Sequence, residues 1–287
     1  MKVQVILVPY DSGNRSLRMG RGPEHFIENG LVQALEADGH EVSVEIIEAP
    51  TEFRAEVQTQ FALYRSLAER VAAARQNGRF ALVLSGNCGA TVGAIAGAQP
   101  KRLGVVWFDA HGEFNTPETT KSGFLDGMGL AIASGQCWKN LAASIPGFQP
   151  IPGSRILLVG ARDFDEGERE RLEDVGGTVV DAATVLQTGM REVLDSVLSP
   201  FLSDVEEVHL HLDLDALDQK ETPANAWLPE GGIPIEAVSQ TIQYIRENQK
   251  MTSATVASFD PNYDREGKTL NASLKLIRQV MDGGSIA

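Results

Sequence analysis

Short, almost wholly apolar runs recur along the chain, each followed by a stretch with helical spacing. Runs such as Ile156-Leu157-Leu158-Val159-Gly160 and Gly104-Val105-Val106-Trp107-Phe108 lack polar alternation. A strand of that composition must be covered by protein on both faces. Strands of this kind alternating with helices define an α/β fold: a mostly parallel sheet with a helical layer on either side, a three-layer sandwich. The spacing predicts strands over Val3–Pro9, Glu41–Glu48, Phe80–Leu84, Leu103–Phe108, Arg155–Gly160, Thr178–Asp181, Val205–Asp213 and Ala254–Phe259. It predicts helices over Pro23–Gly39, Glu56–Gln76, Glu166–Asp174, Ala183–Leu198, Ile235–Asn248 and roughly Lys268–Met281, with a further small-residue helix after Gly89. No repeat, low-complexity tract or Pro/Ser-rich linker breaks the pattern, so residues 1–287 are expected to form a single domain.

Composition narrows the partners. Lys+Arg 25 against Asp+Glu 39 gives a net charge of −14, which argues against nucleic acid and anionic membrane surfaces and leaves carboxylates for cations. Cys88 and Cys137 are the two cysteines, too few for a disulfide scaffold, so a reducing compartment, the cytoplasm, is expected. The N-terminal apolar run is short and alternating, unlike a signal peptide, and no window holds ~18 uninterrupted apolar residues.

The chemistry concentrates in two clusters. Asp109-Ala110-His111-Gly112-Glu113 directly follows the Leu103–Phe108 strand. In extended chain its three ionisable residues share a side. In His209-Leu210-His211-Leu212-Asp213-Leu214-Asp215 the same alternation puts two histidines and two aspartates on one face. Four such groups on one face of a central strand are costly to bury unpaired, and a divalent cation relieves the cost. His209 and His211, deeper in the strand, are expected to be hydrogen-bonded core or supporting histidines. Asp213 and Asp215, at its end, are the better ligands. Two strand ends donating carboxylates suggest a bridged dinuclear centre. Oxygen-rich ligation with one imidazole suits Mn²⁺ better than Zn²⁺, and such a pair ionises a bridging water and polarises an electrophile.

With these residues in view, the chain resembles the arginase/agmatinase (ureohydrolase) family. The likeness rests on Ser85-Gly86-Asn87-Cys88, Asp109-Ala110-His111-Gly112-Glu113-Phe114-Asn115, Ser122-Gly123-Phe124-Leu125-Asp126-Gly127 and Asp213-Leu214-Asp215-Ala216-Leu217-Asp218, in family order and spacing over essentially the whole chain. The resemblance implies one arginase-like α/β domain, an eight-stranded parallel sheet and a dimanganese centre that hydrolyses guanidino C–N bonds. Asp109 and Asp213 would bridge both metals, and His111 and Asp215 would complete one. Cys88 and Glu113 would complete the other, where the family usually has His and Asp, so that ion is expected to be weakly held or not to be Mn²⁺. Asn115 and Ser122 would hold a substrate carboxylate. Asp165, and through it Glu168, would bind an α-ammonium, although Asp165 is also placed to cap a helix.

The guanidino end departs from the family. Asp126 stands where the family has a proton-shuttling His, and becomes the candidate acid/base, while Ser258 stands where a Glu pairs with the guanidinium. Both changes resemble the branch that hydrolyses Nω-hydroxy-L-arginine, with L-arginine as a second substrate. Two other readings stay open: a formiminoglutamase- or agmatinase-like C–N hydrolase, and a non-catalytic relative that binds an amino acid. Trp107, Trp138 and Cys137 are expected to be packing residues. Whether the chain is a monomer or a homo-oligomer is left undecided.

Overall fold

Eight parallel strands form the central layer: β1 (Lys2–Val8), β2 (Glu41–Ile46), β3 (Phe80–Ser85), β4 (Leu103–Phe108), β5 (Ile156–Val159), β6 (Thr178–Val180), β7 (Glu207–Asp213) and β8 (Lys250–Ala257). The computed structural model describes residues 1–53, 55–98 and 101–282. The strands lie in the order β2-β1-β3-β8-β7-β4-β5-β6, and every neighbouring pair is parallel. From β4 the chain moves outward to β5, whereas from its neighbour β7 it moves the opposite way to β8. Open α/β sheets bind ligands outside the carboxyl ends of the strands at such a reversal of direction.

Alternate side chains of each strand enter different cores. Val3, Val5 and Leu7 of β1 join one, and Ile6 and Val8 the other. Helices Gly22–Glu28, Leu31–Ala37, Ile235–Asn248 and Lys268–Asp282 close the first face, while Glu56–Gln76, Ala90–Ala98 and Gly129–Ala133 close the second. Within the second layer, Gly97 lets Ala90–Ala98 lie directly on the long helix. A Cβ at Gly97 would stand 2.3 Å from the Ala68 carbonyl oxygen, which packing does not allow. Among the described residues no helix is long and apolar enough to cross a membrane.

Several boundaries differ from the sequence-based ones, for local reasons. The helix predicted over Pro23–Gly39 is two helices, because Gly30 adopts φ +88° between them. Ala183–Leu198 is likewise cut at Gly189 (φ +82°), and its second part continues through an irregular turn to Ser203. β8 runs over Lys250–Ala257, not Ala254–Phe259, because Ser258 takes φ +67° and ends it. The strand predicted over Val205–Asp213 begins at Glu207, and the helix predicted from Glu166 begins at Glu168.

Candidate active site and metal centre

Loops at the carboxyl ends of β3, β4, β5, β7 and β8 meet in one cavity. Cys88, Asp213, Asp215 and Ser258 lie in its wall beside His111 and Glu113, with Asp126 nearby. Asn115, Ser122, Phe124, Asp165, Glu168 and Trp227 line the rest. The structure thus brings the family-derived residues together from segments more than a hundred residues apart.

The floor is rigid because backbone amides and neutral donors fix each carboxylate. Asp109 accepts from the Trp107 indole N–H at 2.9 Å and from the His111 amide at 2.8 Å. Asp213 accepts from the Asp215 amide (2.8 Å), the Ser258 hydroxyl (2.5 Å) and the Cys88 thiol (2.6 Å). Asp215 accepts from the Ala110 amide at 3.0 Å. The β7 strand ends at Asp213, and Asp215 sits in the following short 3-10 turn, not in extended chain. Trp107 therefore supports the site as well as packing. Cys137 lies in the core cluster and Trp138, half-buried, packs against it, as expected of packing residues.

Electrostatics make this floor a poor place for carboxylates alone. Burial, then the neighbouring Asp215, pushes Asp109 up, and burial with Asp215 and Asp109 pushes Asp213 well up. Burial works against a proton on His111, but Asp215 and Asp109 outweigh it and raise its pKa well above the ordinary value. The protein closes these costs only partly, and two buried atoms at the site, Glu113 Oε2 and His211 Nε2, have no hydrogen-bond partner. A carboxylate crowd with orphaned donors beside it fits divalent cations, which supply the missing charge and ligands.

Two donor clusters stand out. His111 Nδ1 lies 3.3 Å from both Asp109 Oδ1 and Asp215 Oδ2, and the three form a set with all donor atoms within 4.8 Å. The second set of that span is Cys88, Asp109, His211 and Asp213. Glu113 belongs to neither. Its backbone turns left-handed (φ +55°), which breaks the extended run assumed for Asp109, His111 and Glu113. Its carbonyl instead caps the amides of Leu130 and Ala131.

The two histidines of β7 also part company. His209 bonds Ser253 at 2.8 Å and Thr255 at 3.1 Å, and burial drives its pKa down to about 3. It is the satisfied core histidine that the sequence led us to expect. His211 uses one ring nitrogen on Thr91 at 2.7 Å and stacks on Trp107 with centroids 3.8 Å apart. Its placement in a donor cluster was not legible in the sequence. The signal present, a histidine on the same strand face as Asp213, is shared by His209.

The candidate acid is held equally firmly. Asp126 accepts from Asn87 Nδ2 at 2.6 Å and from the Gly89 amide at 2.8 Å. Burial carries its carboxyl up to about 7, against the lowering pull of the Gly89 and Asn87 donors. Asn87, itself tied to the Ser12 amide and to Gln60 at 2.8 Å each, is a positioning residue that the motifs contained without marking it. Asn225 is a second, donating to the Ser258 carbonyl and accepting from the Trp227 amide.

The rim is built differently. Asn115 donates to Asp165 at 2.9 Å and accepts from Arg171 at 3.2 Å. Glu168 accepts the Phe114 amide at 2.8 Å and the Asp165 amide at 2.9 Å, so it braces the two segments that carry Asn115 and Asp165. No side chain caps the Glu168–Asp174 helix, so Asp165 does not cap it and its carboxylate is left to the cavity and Asn115. Ser122 is exposed, its hydroxyl accepting from the Phe124 amide at 3.1 Å. Trp227 stacks against Phe124 and lies under the Arg18 guanidinium, 5.0 Å from the ring centroid.

A parallel α/β sheet with paired carboxylate loops at its central strand ends is an arrangement suited to metal-assisted hydrolysis. Comparison with known proteins refines it. The model of the Arginase family matches residues 1–283. The arginase of Staphylococcus aureus (strain MRSA252) is 30% identical, over 96% of this chain and 95% of its own. The arginase of Bacillus subtilis (strain 168) is 30% identical over 97% of both chains. The crystal structure of arginase from Bacillus cereus superposes with a TM-score of 0.91, 28% identity and full coverage of both chains. Formimidoylglutamase from Bacillus subtilis shares the fold alone, with a TM-score of 0.77 and 17% identity over 98% of this chain and 86% of its own. The chain belongs to the arginase family and is a hydrolase of the ureohydrolase fold.

Proposed function

We propose that this protein cleaves the guanidino C–N bond of an arginine-like α-amino acid, with Nω-hydroxy-L-arginine preferred over L-arginine. Two divalent ions are the expected cofactors: Asp109, His111, Asp213 and Asp215 would hold Mn²⁺, and Cys88, Asp109 and Asp213, with Glu113 bordering them, would hold a second ion. When bound, such a pair supplies Lewis acidity and a nucleophilic water near neutral pH. Asn115 and Ser122 offer neutral polar groups to a carboxylate and Asp165 a negative charge to an ammonium. Agmatine, which lacks the carboxylate, would leave the first two unused. The reaction is expected in the cytoplasm, which both buried, unbridged cysteines suit.

The observation that carries the substrate preference is the pairing of Asp126 and Ser258 at the inner wall. A group whose carboxyl sits at about 7 holds a proton for a departing nitrogen near neutral pH. Ser258 spends its hydroxyl on Asp213 and brings no charge to a guanidinium. An N-hydroxyguanidine is a weaker base than a guanidine and carries a hydroxyl, so it needs less charge pairing and gains a hydrogen bond. A site that bonds a hydroxyl rejects the analogue lacking it.

Steady-state kinetics on both compounds in one Mn²⁺ buffer test this. The hydroxylated substrate is expected to have the higher kcat/KM by at least about tenfold, or ~1.4 kcal/mol. Equal or better turnover of L-arginine would show that Asp126 and Ser258 have been misread.

A further inference from the structure

The Cys88 cluster poses a chemical choice. Two buried groups beside it have an atom without a partner, the Glu113 carboxylate and the His211 ring, and one cation cannot need both equally. Their surroundings separate them. The Glu113 oxygen without a partner faces Gly129, where a Cβ would stand 2.9 Å from it, and Glu113 lies outside the cluster. The His211 ring is fully buried and fixed at one face and one edge: Trp107 stacks on it with centroids 3.8 Å apart and Thr91 Oγ1 holds Nδ1 at 2.7 Å. With Nδ1 committed, Nε2 is the nitrogen left for the cluster that Cys88, Asp109 and Asp213 complete. A metal-binding imidazole ordinarily has its other nitrogen on such a partner, which sets tautomer and direction. Thr91 belongs to the same turn as the thiol, its amide bonding the Cys88 carbonyl at 3.0 Å. One turn thus supplies both the sulfur ligand and the hydroxyl that aims the imidazole.

We infer that His211, and not Glu113, completes the Cys88 site, and that this site selects Zn²⁺ while the His111 site keeps Mn²⁺. The inference rests on the reading of the two clusters as metal sites. One thiolate, one imidazole and two carboxylates are a donor set suited to a borderline-soft, four-coordinate cation. Asp109, His111, Asp213 and Asp215 are oxygen-rich and suit a harder one. Two neighbouring sites that share two carboxylates therefore differ in hardness, through one cysteine on the β3 turn and one histidine inside β7.

Cobalt replaces zinc in such sites and reports its ligands by absorption. Chelator-stripped protein titrated with Co²⁺ is expected to show a thiolate-to-cobalt charge-transfer band saturating at one equivalent. The band should vanish in Cys88→Ser. The visible ligand-field bands should change in His211→Ser and stay unchanged in Glu113→Gln. Zn²⁺ should displace the charge-transfer band, and Mn²⁺ at about a hundredfold excess should not, given the usual affinity order of these ions. Thr91→Val, which leaves the ring itself untouched, should weaken Zn²⁺ at this site about 10–100-fold. Circular dichroism confirms that each variant folds. If His211→Ser does not fold, Glu113→Gln and Thr91→Val decide alone. A spectrum that shifts in Glu113→Gln, a Thr91→Val variant with unchanged zinc affinity, or cobalt bound without a thiolate band overturns the inference. Failure of the wild-type protein to take up any metal would instead overturn the two-site reading beneath it.

Discussion

Strand β7 carries a buried carboxylate at each end, and the protein treats the two in opposite ways. Glu207, at its start, is clamped between Arg75 at 2.9 Å and Lys250 at 2.8 Å. Asp213, at its finish, meets a thiol, a hydroxyl and an amide, all neutral, with two more aspartates close by. Burial works to raise Glu207, but the two cations outweigh it and hold its pKa below the ordinary value, whereas Asp213 is driven well up. A structural carboxylate is given its counter-ions by the chain. A carboxylate held in place by neutral donors and left short of positive charge is one that a cation from solution would complete.

The contrast breaks most sharply in activity. Asp213→Ala is expected to lower kcat/KM at least about a thousandfold, or ~4 kcal/mol, with loss of bound metal by elemental analysis. Activity kept within tenfold of wild type would mean that Asp213 is as structural as Glu207. Next comes metal-linked stability. Adding Mn²⁺ at a hundred times its dissociation constant should stabilise the chelated protein by about 2.7 kcal/mol. Thermal unfolding should show that gain in wild type and in Glu207→Gln, and not in Asp213→Ala.

Further from the floor, at the rim, the expected effect is smaller and of another kind. Asp165→Ala should raise KM by roughly thirtyfold, about 2 kcal/mol, with kcat little changed, because the lost charge contact serves bound substrate and transition state alike. A fall in kcat with KM unchanged would move Asp165 out of the binding role. The smallest effect belongs to the structural end. Because Glu207 is depressed in the folded state, its contribution is present above the ordinary glutamate value of about 4.3 and is lost as pH falls through the lower folded value. Stability curves of wild type and Glu207→Gln should therefore converge in acid and differ by less than about 1 kcal/mol at neutral pH. A difference that grows as pH falls would contradict the sign.

The strand pattern was legible because burial on both faces leaves its mark in composition. β4 and β5 read as unbroken apolar runs and fold as such. Local chirality was less legible: Gly30, Gly189 and Ser258 each end or cut an element through a positive φ that apolar spacing does not encode. Of the site, Asp109, His111, Asp213 and Asp215 were apparent from alternation and motif, since each lies at or just beyond a strand end. Asn87 and Asn225 were not apparent, because their work is to hold Asp126 and Ser258, residues 39 and 33 positions away.

By itself, then, the amino-acid sequence determined the layers, the strand ends and which carboxylates stand there, because period and hydrophobicity act over a few residues. What it left undecided was which of two histidines on one strand face is spare. His209 and His211 share one strand face, each between two apolar neighbours along the chain. Only the packing of β8 beside β7 gives His209 two hydroxyls, Ser253 and Thr255. Only the turn after β3 brings Thr91 and Cys88 to His211 and leaves its second ring nitrogen without a hydrogen-bond partner. Hydrogen-bond satisfaction of a buried ring is settled by whichever strands lie next to it, and strand order is a property of the whole fold.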